Sequence, residues 1–240
     1  MRLQSVIRAI YPAHCVACDM QTESDFGLCP ACWADTRFIG GLVCDTCGVP
    51  LPGDVADGPI QCDDCMTIAR PWVRGRAVLV YAGVGRKLVL ALKHGDRTEL
   101  AKPAALWMSR HVESLGLRDP VLVPVPLHWT RLLRRRYNQS ALLAQALGSL
   151  IGAPSCVDAL LRPRRTKALD GHTRDARFAA LSGAIRPNPA CLAQIAGRDV
   201  LLVDDVMTSG ATLAACTEAL HAAGAAKVSI LTLARVVKDA

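Results

Sequence analysis

The sequence predicts an α/β protein, a parallel sheet flanked by helices, with a small cysteine-rich metal module ahead of it. Three observations carry that expectation. Eight of the eleven cysteines form four Cys-x-x-Cys pairs before residue 66. From residue 77 onward, short apolar runs alternate with segments of helical spacing. Late in the chain, Val200-Leu201-Leu202-Val203 leads through two aspartates into a loop of small residues and another helical segment.

The pairs are Cys15/Cys18, Cys29/Cys32, Cys44/Cys47 and Cys62/Cys65. Each makes a tight knuckle that presents two thiolates to one metal, and two knuckles close a tetrahedral four-sulfur site. Two structural zinc ions are therefore expected. Pairing the knuckles in chain order keeps the loops short and the closure cost low, while an interleaved pairing is left open by spacing alone. No thioredoxin-like βαβ pattern surrounds any pair, which disfavours a redox role. The first 70 residues are rich in Cys, Asp, Gly and Pro and have little periodicity, as suits a module organised by metal rather than by a core. Arg70-Pro71 marks the junction, so residues 1–70 read as the metal module and 71–240 as the α/β domain. Cys156, Cys191 and Cys216 stand alone among apolar or small residues and are expected to be buried, inert thiols.

Ala77 to Tyr81, bounded by Gly75 and Gly83, reads as the first strand. Arg86 to Lys93 and Leu100 to Leu115 have helical spacing, with Gly116 ending the second segment. Val121 to Pro126 is a strand running into a proline-stiffened turn, Ser140 to Leu150 is helical, and a short strand is expected over Cys156 to Leu161. A polar stretch from Arg162 to Gly183 precedes the strand Val200 to Val203, the helix Ala211 to Ala223, and a closing strand over Val228 to Val237.

The loop after Val203 lies at the carboxyl end of a strand, where open α/β sheets bind ligands. Thr208, Ser209 and Thr212 supply hydroxyls, Gly210 allows close backbone approach, and the first N–H groups of the following helix point at the same spot. That combination suits a phosphate dianion. Asp204 and Asp205 would repel a phosphate, so they must face another part of the ligand, such as a ribose diol or a magnesium ion. A Walker loop is excluded, because no Lys-Ser or Lys-Thr follows a glycine loop here.

These residues resemble the ribose-phosphate loop of the type I phosphoribosyltransferases: hydrophobic strand, Asp-Asp, Val-x-Thr-(Thr/Ser)-Gly-x-Thr, over thirteen consecutive positions. The resemblance implies the type I phosphoribosyltransferase fold. It implies that Asp204 and Asp205 hold the ribose hydroxyls of phosphoribosyl pyrophosphate and serve catalysis by orienting the ribose. Val206, Met207, Thr208, Ser209, Gly210, Ala211 and Thr212 would complete the binding loop, the last five around the 5-phosphate, with magnesium accompanying the substrate.

A second segment, Pro124-Val125-Pro126-Leu127-His128 followed by Arg131, Arg134, Arg135, Arg136, Tyr137, Asn138 and Gln139, makes a positive, amide-bearing rim at another strand's carboxyl end. Arg131 and Arg134 read equally well as a solvated basic helix face. The segment is similar to the Pro-Val-Pro-Leu, Arg-Gly-Phe-Asn-Gln and Leu-Ala pattern of the ComF family, in which a double zinc ribbon precedes a phosphoribosyltransferase domain. Arg136 stands where the commoner pattern has glycine. Leu92-Lys93-His94-Gly95-Asp96 resembles another family segment. On this likeness Lys93 and Arg135 would meet the pyrophosphate, although a lysine at a helix end also reads as a dipole partner. The stretch from Arg162 keeps Thr166, Lys167, Gly171, Arg177, Gly183 and Ala184 of the family's pattern, which corresponds to the mobile hood of type I phosphoribosyltransferases, but Ala168, Leu169 and Ala180 replace its usual Pro-Gln and Asn.

The family is associated with natural transformation and with use of DNA as nutrient. The implied partners are single-stranded DNA, through Arg131, Arg134, Arg135, Arg136, Asn138 and Gln139, and a DNA helicase or translocase of the uptake machinery. A phosphoribosyltransferase of purine or pyrimidine salvage is the alternative. Charge is consistent with polyanion binding by the second domain. The net charge of +7 divides into 4 basic against 9 acidic side chains in residues 1–70, a balance of −5, and 24 against 12 in residues 71–240, a balance of +12. Aromatic residues are only 4% of the chain, with Trp72, Trp129 and Tyr137 the few stacking candidates, so sequence-specific reading of bases is not supported. No apolar stretch approaches the roughly 20 residues of a membrane span, and Met1 to Arg8 lacks the apolar core of a secretory leader. A cytoplasmic location is expected.

Overall fold

The computed structural model describes residues 12–22, 27–53, 58–164 and 183–237. The readings made on Met1 to Arg8 and on Thr166 to Ala180 lie outside these residues. In chain order the described elements are α1 (Pro30–Asp35), α2 (Asp63–Thr67), β1 (Gly75–Val80), α3 (Gly83–His94) and α4 (Ala101–Ser109). Next come β2 (Val121–Pro124), α5 (Trp129–Arg135), α6 (Gln139–Ile151), β3 (Leu160–Leu161), β4 (Arg186–Pro187) and α7 (Leu192–Ile195). The chain closes with β5 (Asp199–Met207), α8 (Ala211–Ala222) and β6 (Lys227–Arg235).

The main sheet is parallel, in the order β1-β6-β5-β2. A central strand flanked on both sides should be apolar throughout. Val200, Leu201, Leu202 and Val203 of β5 are accordingly all at 0% exposure, each worth roughly 1.5–3 kcal/mol of burial. Alternation splits them between two cores. Leu201 and Val203 pack with α3, α4 and α6, while Val200 and Leu202 pack with α7 and α8.

The cysteine module divides between the same two cores. Cys15 and Cys29 join the α3/α4 side, and Cys44, Cys47 and Cys65 join the α8 side. The module also borders the sheet. Ile39 N–H donates to Val78 C=O at 2.8 Å and Val80 N–H to Arg37 C=O at 2.9 Å, which pairs residues 37–39 against the outer edge of β1. At the other edge, Leu122 N–H donates to Pro154 C=O and Cys156 N–H to Leu122 C=O, both at 2.9 Å. The fit at β1 is close enough that a Cβ on Gly75 would come within 2.4 Å of Thr46 O.

Three expectations are corrected. The segment Leu100 to Leu115 is not one helix: α4 ends at Ser109, and a 3-10 turn follows over Glu113–Leu115. The Ser109 hydroxyl bonds back to Leu106 C=O and that of Ser114 to His111 C=O, so serines compete with the helical ladder where it breaks. The strand expected over Cys156 to Leu161 shrinks to β3, paired antiparallel with β4, because a turn occupies Val157 and Asp158. The strand expected over Val200 to Val203 runs on to Met207, since β6 continues to pair with it as far as Met207↔Arg235. Cys156, Cys191 and Cys216 are buried, as expected.

Candidate functional site

Pro124 and Pro126 decide where the sheet opens. Lacking N–H groups, they end the β2–β5 ladder just after Val125 N–H donates to Val203 C=O at 2.9 Å. β5 continues for four residues paired to β6 alone. α6 packs on one face of the sheet and α8, the helix after β5, on the other. The carboxyl ends of β2 and β5 therefore diverge into a crevice of the kind that binds ligands in open α/β sheets.

Asp204 and Asp205 stand at its floor and, as neighbours on a strand, turn to opposite sides. The Asp205 carboxylate, 7% exposed as a residue, lies 3.1 Å from Lys93 Nζ at the end of α3. Asp204 accepts hydrogen bonds from the Ser140 hydroxyl at 2.8 Å and from the Asp205 N–H at 2.9 Å. Burial, with repulsion from Asp205, pushes the Asp204 carboxyl up to about 7, against the pull of Ser140, Lys93 and the Asp205 N–H. A carboxylate so placed suits a ligand that brings a cation or hydroxyl donors.

The segment 135–140 does not act as a single charged patch. Asn138 caps α6, its side-chain oxygen accepting from Ser140 N–H while its amide donates to Val125 C=O. Gln139, 1% exposed, accepts from Arg135 Nη1 at 3.1 Å and donates to Lys93 C=O at 3.5 Å, and the Tyr137 hydroxyl donates to Leu92 C=O at 2.8 Å. Arg135 thus faces inward toward Lys93 and Asp205. Burial, with Arg131 and Arg134 nearby, lowers its guanidinium against the pull of Asp205. Arg134 and Arg136 face outward and Arg131 is half-buried, beside the exposed Trp129 (61%) and Leu133 (71%) of α5.

The loop Thr208–Gly210 closes the other end. Gly210 adopts φ +83°, and as the residue preceding α8 it offers no side-chain cap to the helix's first N–H groups. Arg235 Nη1 donates to Thr208 C=O at 2.7 Å and to Met207 C=O at 3.3 Å, and Arg70 Nη1 donates to Ser209 C=O at 2.8 Å. Thr208 is exposed and Ser209 and Thr212 are half-buried, while Ala211 is buried. The structure therefore gathers Asp204, Asp205, Lys93, Arg135 and Gln139 in one crevice, with the loop at its mouth. Alongside, a cavity of 520 Å³ is lined by Leu127, Trp129, Leu132, Asn138, Leu160 and Arg162, among others.

Sequence reasoning missed Ser140, Arg70 and Arg235. Ser140 carried a signal, since it follows Asn138-Gln139 directly. The arginines carried none, because their contacts join residues 139 and 27 positions apart.

The cysteines assemble in chain order: Cys15, Cys18, Cys29 and Cys32 in one cluster, Cys44, Cys47, Cys62 and Cys65 in the other, with all sulfurs of a cluster within 4.8 Å. Cys18 and Cys29 sulfurs are 3.6 Å apart and those of Cys47 and Cys62 are 3.7 Å apart. Sulfurs about 3.7 Å apart are what zinc at about 2.3 Å from each of four tetrahedral thiolates requires. Within the second cluster, Cys47 and Cys65 draw the Cys44 thiol well below its ordinary range, and Cys44 pushes Cys47 up to about 11. Both clusters fit zinc.

Residues 6–66 match the double zinc ribbon domain and residues 136–239 the phosphoribosyl transferase domain. The DNA utilization protein YhgH of Salmonella typhimurium is 32% identical, covering 94% of this chain and 98% of that one. Its Escherichia coli K12 counterpart is 30% identical with the same coverage. The chain belongs to the ComF family. The competence protein ComFC of Bacillus subtilis is 26% identical over 94% of this chain and 96% of its own. In this ComF chain, Tyr137, Asn138 and Gln139 form the joint between α5 and α6, tied to the Leu92, Val125 and Lys93 carbonyls, and the second cysteine cluster lies behind the Thr208 loop. No helix among the described residues is long and apolar enough to cross a membrane.

Proposed function

We propose that the crevice binds phosphoribosyl pyrophosphate with magnesium, and that the protein works on single-stranded DNA. The observation that carries this reading is the partition of the site into an acidic floor and an anion-receptive mouth. Asp204 and Asp205 at the floor suit the ribose hydroxyls, whose O–H groups donate to carboxylates. The N–H groups at the start of α8 and the hydroxyls of Thr208, Ser209 and Thr212 suit the 5-phosphate. Lys93 and Arg135, on the opposite wall, suit the pyrophosphate.

Bound magnesium would neutralise part of the pyrophosphate charge. The chain's own residues do the rest. Asp204 and Asp205 orient the ribose; where an acceptor nucleophile adds to C1, Lys93 and Arg135 stabilise the negative charge that departs with pyrophosphate as its C1–oxygen bond breaks through an oxocarbenium-like state. DNA association is assigned to the outward face of α5 and the turn that ends it, where Arg131, Arg134 and Arg136 meet phosphates and Trp129 offers a stacking face. Asn138, Gln139 and Arg135 hold the inner wall instead. The relatives' names, DNA utilization protein and competence protein, support a role with DNA.

Calorimetry of the zinc-loaded protein with phosphoribosyl pyrophosphate and magnesium tests the first half. Binding should be present in the wild type and absent when Asp204 and Asp205 are both replaced by alanine, and unchanged binding would remove these carboxylates from the site. One observation favours turnover in salvage. The 520 Å³ cavity beside Asn138 and Arg162 lies within the usual range of about 300–1,000 Å³ for small-molecule sites and has the apolar walls a free nucleobase needs. Pyrophosphate release with free bases, but not with DNA, would select that reading.

A further inference from the structure

We infer that the second zinc centre acts through Arg235 as the clamp that orients the Thr208–Gly210 loop, making Arg235 a positioning residue for anion binding. Arg235 is 5% exposed. Its Nη1 donates to Met207, Thr208 and Val236 carbonyls, and its Nη2 lies 4.0 Å from Cys47 Sγ. Among the described residues no carboxylate lies against it. A buried guanidinium needs a counter-charge, and zinc on four thiolates carries a net charge of about −2. The Cys44/Cys47/Cys62/Cys65 centre supplies that charge when it holds metal.

A second arm runs from the same knuckle. Trp72 Nε1 donates to Thr46 C=O at 2.6 Å, within the Cys44–Cys47 turn. The Arg70 guanidinium stacks 5.4 Å from the Trp72 ring and donates to Ser209 C=O. Two consecutive loop carbonyls, Thr208 and Ser209, are thus held from the ribbon side. In a trans peptide the N–H points opposite to the C=O, so the N–H groups of Ser209 and Gly210 point away from the ribbon. Fixing the carbonyls fixes the donors an anion would meet. The first cysteine cluster packs on the opposite face of the sheet and has no part in this.

The inference extends the ribose-phosphate reading of the loop, but its first test needs no ligand. Hydrogen exchange over residues 207–213 is followed by mass spectrometry in the full-length zinc-loaded chain, with α6 as internal reference. Arg235→Gln should accelerate loop exchange at least tenfold and leave α6 unchanged, with Arg235→Lys falling between. Cys62→Ser should have the same effect and Cys18→Ser should not. Unchanged loop exchange in Arg235→Gln, or equal loosening by Cys18→Ser, would overturn the clamp. A variant that exchanges faster in α6 as well has unfolded, and the comparison then rests on zinc release from wild type and Arg235→Lys to a colorimetric chelator. Arg235→Lys should speed release of one of the two zinc ions, and identical release would equally overturn the clamp. A clamp upheld by exchange, in a protein that does not bind phosphoribosyl pyrophosphate, would leave the coupling standing and remove the ribose-phosphate reading.

Discussion

Replacing Asp204 by asparagine should stabilise the ligand-free protein at alkaline pH while destroying its site. In the folded chain the Asp204 carboxyl is pushed up to about 7, against an ordinary value of 3.8, chiefly by burial and then by repulsion from the neighbouring Asp205 charge. The folded state therefore binds the proton more tightly than the unfolded chain. Stability contributed by this group is full below about pH 4, falls as pH rises toward 7, and is constant above that. At about 1.36 kcal/mol per pH unit, the ionised carboxylate costs the fold about 4 kcal/mol, reduced to about 2–4 by the partial exposure of the residue. Asparagine has nearly the same shape, keeps an oxygen to accept from Ser140 Oγ and the Asp205 N–H, and cannot ionise. Calorimetric melting of both zinc-loaded proteins from pH 4 to 8 reads the effect. Asp204→Asn should melt roughly 5–15 °C higher at pH 8 and nearly the same at pH 4. Equal melting at pH 8, or a difference that does not change with pH, would refute the reasoning.

Lys93→Met removes the ammonium 3.1 Å from the largely buried Asp205 and should cost about 2–3 kcal/mol in urea unfolding, while raising the apparent pKa of Asp204 further. Gly210→Ala forces φ +83° on an L-residue and brings its Cβ within 2.7 Å of Met207 Cε, so the fold should lose about 1–2 kcal/mol and phosphoribosyl pyrophosphate affinity should fall at least tenfold. Metal analysis should return two zinc ions per chain, and Cys29→Ser or Cys65→Ser should each leave one. Single-stranded DNA affinity should fall steeply with salt, and replacing Arg131, Arg134 and Arg136 by glutamine should make the fall of log affinity with log salt shallower by about 2–3 in slope. A salt-independent interaction would exclude α5 as the contact.

The elements that position the crevice were legible because their signals are local. Four apolar β-prone residues before Asp204, prolines at 124 and 126, and glycines at helix ends each act over a few positions. The extent of β5 was not legible, because Asp204 to Met207 have no strand pattern of their own and are held extended by β6. The division of the arginine segment was hidden for a related reason. Arg135 and Gln139 lie four residues apart and meet each other across the joint between α5 and α6, and only the fold decides that they face inward while Arg134 and Arg136 face out. Sulfur spacing announced the metal sites, yet only the folded chain selected pairing in chain order. The ribbon's contacts with the Thr208 loop link residues far apart in the chain, and such links leave no periodicity to read.

Residues 37–39 also serve as a cover for the sheet. They occupy the hydrogen-bonding flank of β1, which would otherwise present a row of unpaired backbone groups to any neighbouring copy. Withholding zinc during expression should therefore yield a self-associating, sparingly soluble protein rather than a dispersed inactive one. Excising the ribbon to obtain the α/β domain alone should meet the same fate unless that flank is blunted by a charge or a proline.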